Sequence, residues 1–157
     1  MKNVVKVMLP LLFATASFAQ GNTVWHRIVG VITAPGTSNT VAGITSGGPW
    51  TATGGTVTVN LREGTVAFVV DGLVLVGGNS SGTPGNVTSV KGTLVCNAGT
   101  DGQAIIDTAA VALSAQGNAN FMGRFDGDVP ANCTNPLFLI RVVPANIWIA
   151  TAAVREP

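Results

Sequence analysis

The sequence predicts an all-β protein: a single-domain antiparallel β-sandwich of about eight or nine strands, with a small closed β-barrel as the alternative. Three observations predict it. Val, Ile and Thr dominate the periodic segments, with Gly, Asn and Pro between them. Turn signals recur about every ten residues. No long apolar stripe at helical spacing is present. The chain also lacks an internal repeat, which sets aside solenoids and propellers.

The elements follow in order. Met1 to Lys6 is a basic start, Val7 to Ala16 is a short apolar run, and Ser17-Phe18-Ala19 is a small-x-Ala cleavage pattern. Residues 1–19 therefore read as a secretory signal peptide cut before Gln20, and 20–157 as one domain. Val24 to Thr33 is a first strand, and Ala34 to Thr56 a Gly-, Thr- and Ser-rich connection. From Thr56 to Leu61 the residues alternate, so Val57, Val59 and Leu61 share a face. Arg62-Glu63-Gly64 is a turn, and Thr65 to Val70 the return strand. Asp71-Gly72 signals a type I′ hairpin leading into Leu73 to Val76. That hairpin would have two apolar faces, so something must cover the second.

Gly77 to Asn86 reads as a polar loop. Val87 to Cys96 is a strand with Val90, Leu94 and Cys96 inward and Ser89, Lys91 and Thr93 outward. Ile105 to Leu113 is read as strand in preference to a short helix favoured by its alanines. A hairpin around Gln116-Gly117-Asn118 leads to a strand with Ala119, Phe121, Gly123 and Phe125 on one face. Pro130 to Pro136 is a loop carrying Cys133. Leu137 to Val143 and Ile147 to Val154 form a last hairpin.

Composition narrows the function. Of 157 residues only 10% are charged, against about 25% in ordinary soluble domains. A net charge of +1 without a basic run excludes an electrostatic nucleic-acid footprint. Removing Lys2 and Lys6 with the leader leaves six cations against seven acids, and Lys91 as the single lysine. No later segment is long and apolar enough for a transmembrane helix. The two cysteines, Cys96 and Cys133, read as one disulfide of a secreted or periplasmic chain.

Chemistry finds little support. His26 is the sole histidine, it lies in a strand pattern, and no Gly-x-Ser-x-Gly elbow occurs. A glycosidase would have to draw on Glu63, Asp71, Asp101, Asp107, Asp126 and Asp128, several of which sit in turns. Asp126-Gly127-Asp128 has oxygen ligands at alternate positions but no calcium loop around it. The pattern implies no catalytic, metal-binding or cofactor-binding residue, and no cofactor. Trp148 reads as core. Trp50, in a loop-like segment, and Trp25 are the candidate contacts for a ligand or partner. The simpler reading of Trp50 is a plug for one end of the sandwich.

Two function classes remain beside an enzyme. The first is an exported, non-catalytic protein with a structural, adhesive or self-associating role. Its motive is that few charges defend the strand edges, and that the Thr65 to Val76 hairpin asks for a cover. The second is a binding module for a carbohydrate or small apolar ligand.

Overall fold

A computed structural model describes residues 21–34 and 36–156. The expected signal peptide lies outside the described residues. Thirteen strands make up the regular structure: β1 (Asn22–Gly30), β2 (Thr40–Val41), β3 (Ile44–Thr45), β4 (Trp50–Thr51), β5 (Gly54–Asn60), β6 (Thr65–Asp71), β7 (Val74–Leu75), β8 (Ser89–Cys96), β9 (Ala104–Asp107), β10 (Val111–Ala112), β11 (Ala119–Arg124), β12 (Leu137–Val142) and β13 (Trp148–Arg155). Among the described residues there is no helix, so none crosses a membrane.

Nine strands form one antiparallel sheet in the order β10-β8-β12-β13-β1-β5-β6-β11, with β9 beside β10 on the free edge of β8. The fold class is the one expected, and the strand path makes it barrel-like. What would be two layers of a sandwich are two flanks of a single curled sheet. β6 and β12 stand four places apart in the strand order, yet the rings of Phe68 and Phe138 lie 5.7 Å apart. The ends of the order also meet. Thr108 bridges Phe125, and the Asp126 N–H donates to the Asp107 carbonyl at 2.8 Å.

The interior is filled rather than hollow. Val57, Val59, Val66, Phe68, Leu94, Phe138 and Ile140 are buried and alternate with outward positions along their strands, and on β1 Trp25 and Ile28 are buried with exposed His26 and Arg27 between them. Phe121 stacks on Phe68 at 5.8 Å, and Trp25 lies 6.3 Å from Phe138. Gly92 makes room for these rings, since a Cβ there would sit 2.4 Å from Phe138 Cζ. These ring contacts span the interior between the two flanks.

Most elements form for the reasons the sequence predicts. Thr56 to Asn60 pairs with Thr65 to Val69 across a turn. In that turn the Asn60 side-chain oxygen accepts from the Arg62 and Glu63 N–H groups, and Gly64 takes φ 66°. Within Ile105 to Leu113, residues 105–107 and 111–112 are strand, and Thr108 forms an isolated bridge. The final hairpin, β12–β13, runs through a cis Val143–Pro144 peptide.

The Thr65 to Val76 hairpin does not form. Both edges of β6 are already occupied, by β5 and by β11. A type I′ turn needs positive φ at both central residues, and of Asp71 and Gly72 only Gly72 has it. The Gly72 N–H donates to Asn118 Oδ1 and the Leu73 N–H to the Gly117 carbonyl, so the chain turns a corner there. Leu73 is fully buried, and β7 pairs with β4 in a small sheet beyond the end of β6. The Gly-rich connection is likewise more ordered than expected, since it contains β2, β3 and β4.

One flank carries a second cover. On β8, Thr93 and Val95 point outward by alternation, as expected for Thr93, yet both are 0% exposed. Outward-facing Leu139 is 1% exposed. The β2–β3 hairpin is tied to this flank. Gln103 Nε2 donates to the Ala42 carbonyl, Trp148 Nε1 to the Asn39 carbonyl, and the Gly47 N–H to the Trp148 carbonyl. Facing outward therefore does not mean facing water here.

The Cys96–Cys133 disulfide forms, with the Cα atoms 4.9 Å apart. It joins the end of β8 to the loop before β12. Closing a loop of 37 residues stabilises by about 4 kcal/mol in the chain-entropy model. Asn97 reinforces the same junction, donating to the carbonyls of Gly102 and Asn132 and accepting from the Thr134 N–H and hydroxyl.

Candidate functional site

Three surface depressions bear on function. The largest is an open cleft of about 780 Å³ where the two ends of the strand order meet; Lys91, Asp107, Thr108, Asp126 and Asp128 line it. Asp107 is its centre. Its register opposite Thr93 puts it on the outward face of β9. Lys91 Nζ donates to Oδ2 at 2.7 Å, Thr93 Oγ1 to Oδ1 at 2.6 Å, and Arg141 Nη1 to Oδ1 at 3.1 Å. The side chains of Lys91 and Arg141 are only 16% and 11% exposed.

Burial alone would raise the Asp107 pKa. The Lys91 and Thr93 hydrogen bonds and the charges of Arg141 and Lys91 outweigh it, and hold the carboxyl below the ordinary value. Such a carboxylate is a structural anion. It cannot serve as a general acid near neutral pH, and its lone pairs are engaged by three donors. In a glycosidase pair Asp107 could not be the proton donor. Among the described residues, no group of three or more His, Cys, Asp or Glu side chains is placed to hold a metal.

The remaining candidates scatter. His26 is exposed and hydrogen-bonds Glu156 at 2.8 Å, with no serine in that contact. Trp25 and Trp50, the candidate ligand or partner contacts, are buried at 3% and 4% exposed. A ring that buried presents no open stacking face. Trp50 instead sits at the crossing of β4 over the end of β1, where its backbone N–H donates to the Val31 carbonyl. Trp148 is buried too, so no tryptophan among the described residues offers a sugar-stacking surface.

The outer face of β1, β5, β6 and β11 is different. The registers align Val24, Thr58, Ala67 and Met122 in one row across the four strands. Thr56, Val69 and Asn120 form a second row, and Asn22, Asn60, Thr65 and Arg124 a third. Arg124 is the only charge among these residues. Met122 is 87% exposed and Val69 43%. A groove of about 540 Å³ runs along this face past Thr58, Ala67 and Met122. A smaller one, of about 350 Å³, continues from Arg124 to Arg62, Glu63 and Asp128.

Sequence reasoning missed the Asp107 cluster and read the outer face only in part. Lys91 and Thr93 could be read as sharing a face, but nothing local places Asp107 or Arg141 beside them. The two apolar faces of Thr65 to Val70 were legible, and they mark this outer surface. The strand that would flank them was misassigned. Scans of protein-family models and searches of curated proteins and of solved structures find no match to this chain.

Proposed function

We propose that this chain is an exported, non-catalytic protein with a structural, adhesive or self-associating role, secreted or periplasmic, and that it works through its outer sheet face. The observation that carries this reading is the Met122 row. An antiparallel sheet with one face on the core normally turns charged or polar residues to water. Here the Met122 row holds Val24, Ala67 and Met122 beside Thr58 and carries no charge, and the methionine stands almost fully in solvent. The disulfide fits an oxidising compartment. The filled interior and buried tryptophans speak against the alternative, a module for a carbohydrate or small apolar ligand. Asp107 and His26, each already engaged, speak against a hydrolase.

The test has two arms. The full chain, expressed with its leader in a bacterial host, should be recovered from periplasm or medium beginning at Gln20 by mass spectrometry. Purified mature protein should be retained on alkyl-coated beads over hydroxyl-coated ones. Recovery of uncut protein from the cytoplasm, or a hydrolase activity that vanishes with His26→Ala, would overturn the proposal.

A further inference from the structure

We propose that the end of the curled sheet where β1, β6 and β12 finish binds lipid, docking the molecule on a neutral bilayer surface through Ile32 and Val76. This site lies apart from the outer sheet face and does not depend on the reading above.

The registers sort the connections between strands into two ends. Gly30↔Ala150, Gly54↔Asp71, Ala119↔Val70 and Val142↔Val90 lie at one end. Residues 31–53, 72–88, 113–118 and 143–147 join the strands there, and none of these segments contains a charged residue. Residues 61–64, 97–103 and 125–136 join them at the opposite end, and every one of these segments does. Arg62, Glu63, Asp101, Asp126 and Asp128 all fall in this second group. Two cations on the strands come near the neutral end, Lys91 and Arg141, and both are largely buried and paired with Asp107. Asp71 closes β6, behind the small sheet of β4 and β7. The few charges of the chain are thus kept away from one end.

The tip of that end is apolar. β4 lies between the continuation of β1 and β7. The Trp50 backbone N–H donates to the Val31 carbonyl at 2.8 Å, and the Val76 N–H to the Pro49 carbonyl at 3.0 Å. Ile32 and Val76 therefore stand on either side of Pro49, two strand spacings or about 10 Å apart. Ile32 is 87% exposed and Val76 47%. Around them the four segments supply mainly Thr, Ser, Asn, Gly and Ala.

These features select a bilayer. A charged side chain carried to the hydrocarbon boundary is costly, and the loops at this end carry none. An isolated aliphatic side chain gains from a fluid apolar phase without a pocket shaped to receive it, which a protein partner would have to supply. Carbohydrate recognition would use an open aromatic face, and Trp50 and Trp148, which lie at this end, are 4% and 6% exposed. The hydroxyl and amide groups of the loops stay in the hydrated headgroup layer, so only the tip enters. No basic residue takes part. A zwitterionic surface therefore suffices, and screening by salt should not weaken the contact.

Flotation with phosphatidylcholine vesicles tests this. The disulfide-bonded chain beginning at Gln20 is used, so that the apolar run Val7 to Ala16 takes no part. The protein should rise with the vesicles, equally at low salt and at about 1 M salt. Ile32→Asp changes an exposed side chain, so the fold is kept, and it should lower the bound-to-free ratio about tenfold or more. Met122→Asp, at an equally exposed position on the flank, should float as the parent does. A parent that stays in the dense fractions overturns the proposal, as does an Ile32→Asp variant that floats like the parent. Loss of flotation with Met122→Asp would move the contact to the outer sheet face. Binding that needs anionic lipid and disappears in salt would move it to the charged end. Either result also overturns the docking through Ile32 and Val76.

Discussion

At the scale of single residues, Asp107 shows how a chain so poor in charge uses the few it has. One carboxylate holds two largely buried cations from different strands, Lys91 on β8 and Arg141 on β12, and a buried threonine hydroxyl. Removing it leaves two cations facing each other in a covered flank. Loss of one partner of a fully buried pair costs about 3–5 kcal/mol. The Asp107 side chain is 30% exposed, so about 2 kcal/mol is expected for Asp107→Ala after screening. Urea melts at pH 7 measure it. The pH dependence has a definite sign. The folded pKa lies below the unfolded one, so the unfolded chain binds more protons on acidification. The stabilisation is present in full well above the ordinary aspartate value of about 3.9 and is lost as pH falls through the folded value. Asp107→Ala should therefore flatten the stability profile on the acid side and leave its shape above pH 6 unchanged. An acid limb as steep as the parent's would count against the cluster.

At the scale of elements, the short pieces outside the large sheet do more than connect. β4 crosses the end of β1 and pairs with β7, burying Trp50 to 4% exposure. The crossing is tight, since a Cβ on Gly30 would fall 2.2 Å from the Trp50 carbonyl oxygen. Trp50→Ala should then lower stability by about 3–5 kcal/mol, the range for deleting a buried aromatic. A calorimetric melt distinguishes this from a contact residue, which would leave the melting temperature nearly unchanged. These pieces also mark where the sequence stops being legible. Strands with strict alternation, such as Thr56 to Asn60 and Ala119 to Arg124, could be read because one face is core and the other is not. The Asp71-Gly72 corner could not, because a local turn signal competes with pairing partners far away in the chain. The Asn118 side chain that receives the Gly72 N–H is 46 residues on. Alternation puts Thr93 on the outward face, but its burial depends on what covers that flank, and alternation carries no information about that. The same limit hid the Asp107 cluster, whose members come from three strands.

At the scale of the whole molecule, closure answers the question posed by the low charge. A sheet with free edges and a single lysine among the described residues would invite edge pairing; this sheet brings its ends together. The strand order also locates its most vulnerable joint. β13 lies between β12 and β1, so it connects the flank formed from the late part of the chain to the flank that begins at Asn22. Its pairing with β1 runs from Trp25↔Arg155 to Gly30↔Ala150, which ties the two ends of the described chain together. It also brings Trp148, Ile149 and Ala150 into the core. Burial of the large side chains alone contributes about 1.5–3 kcal/mol each, and loss of the strand would expose two new edges with unpaired backbone groups on β12 and β1. A domain of this size has about 5–15 kcal/mol of stability in all. A chain ending at Ile147 should therefore fail to fold, showing no cooperative thermal transition by circular dichroism. A synthetic peptide of residues 148–157 added in excess should restore the transition in proportion to its concentration, because binding of the missing strand is then the folding step. If the truncated chain melts cooperatively without the peptide, the two flanks are independently stable, and the curled sheet is not one cooperative unit.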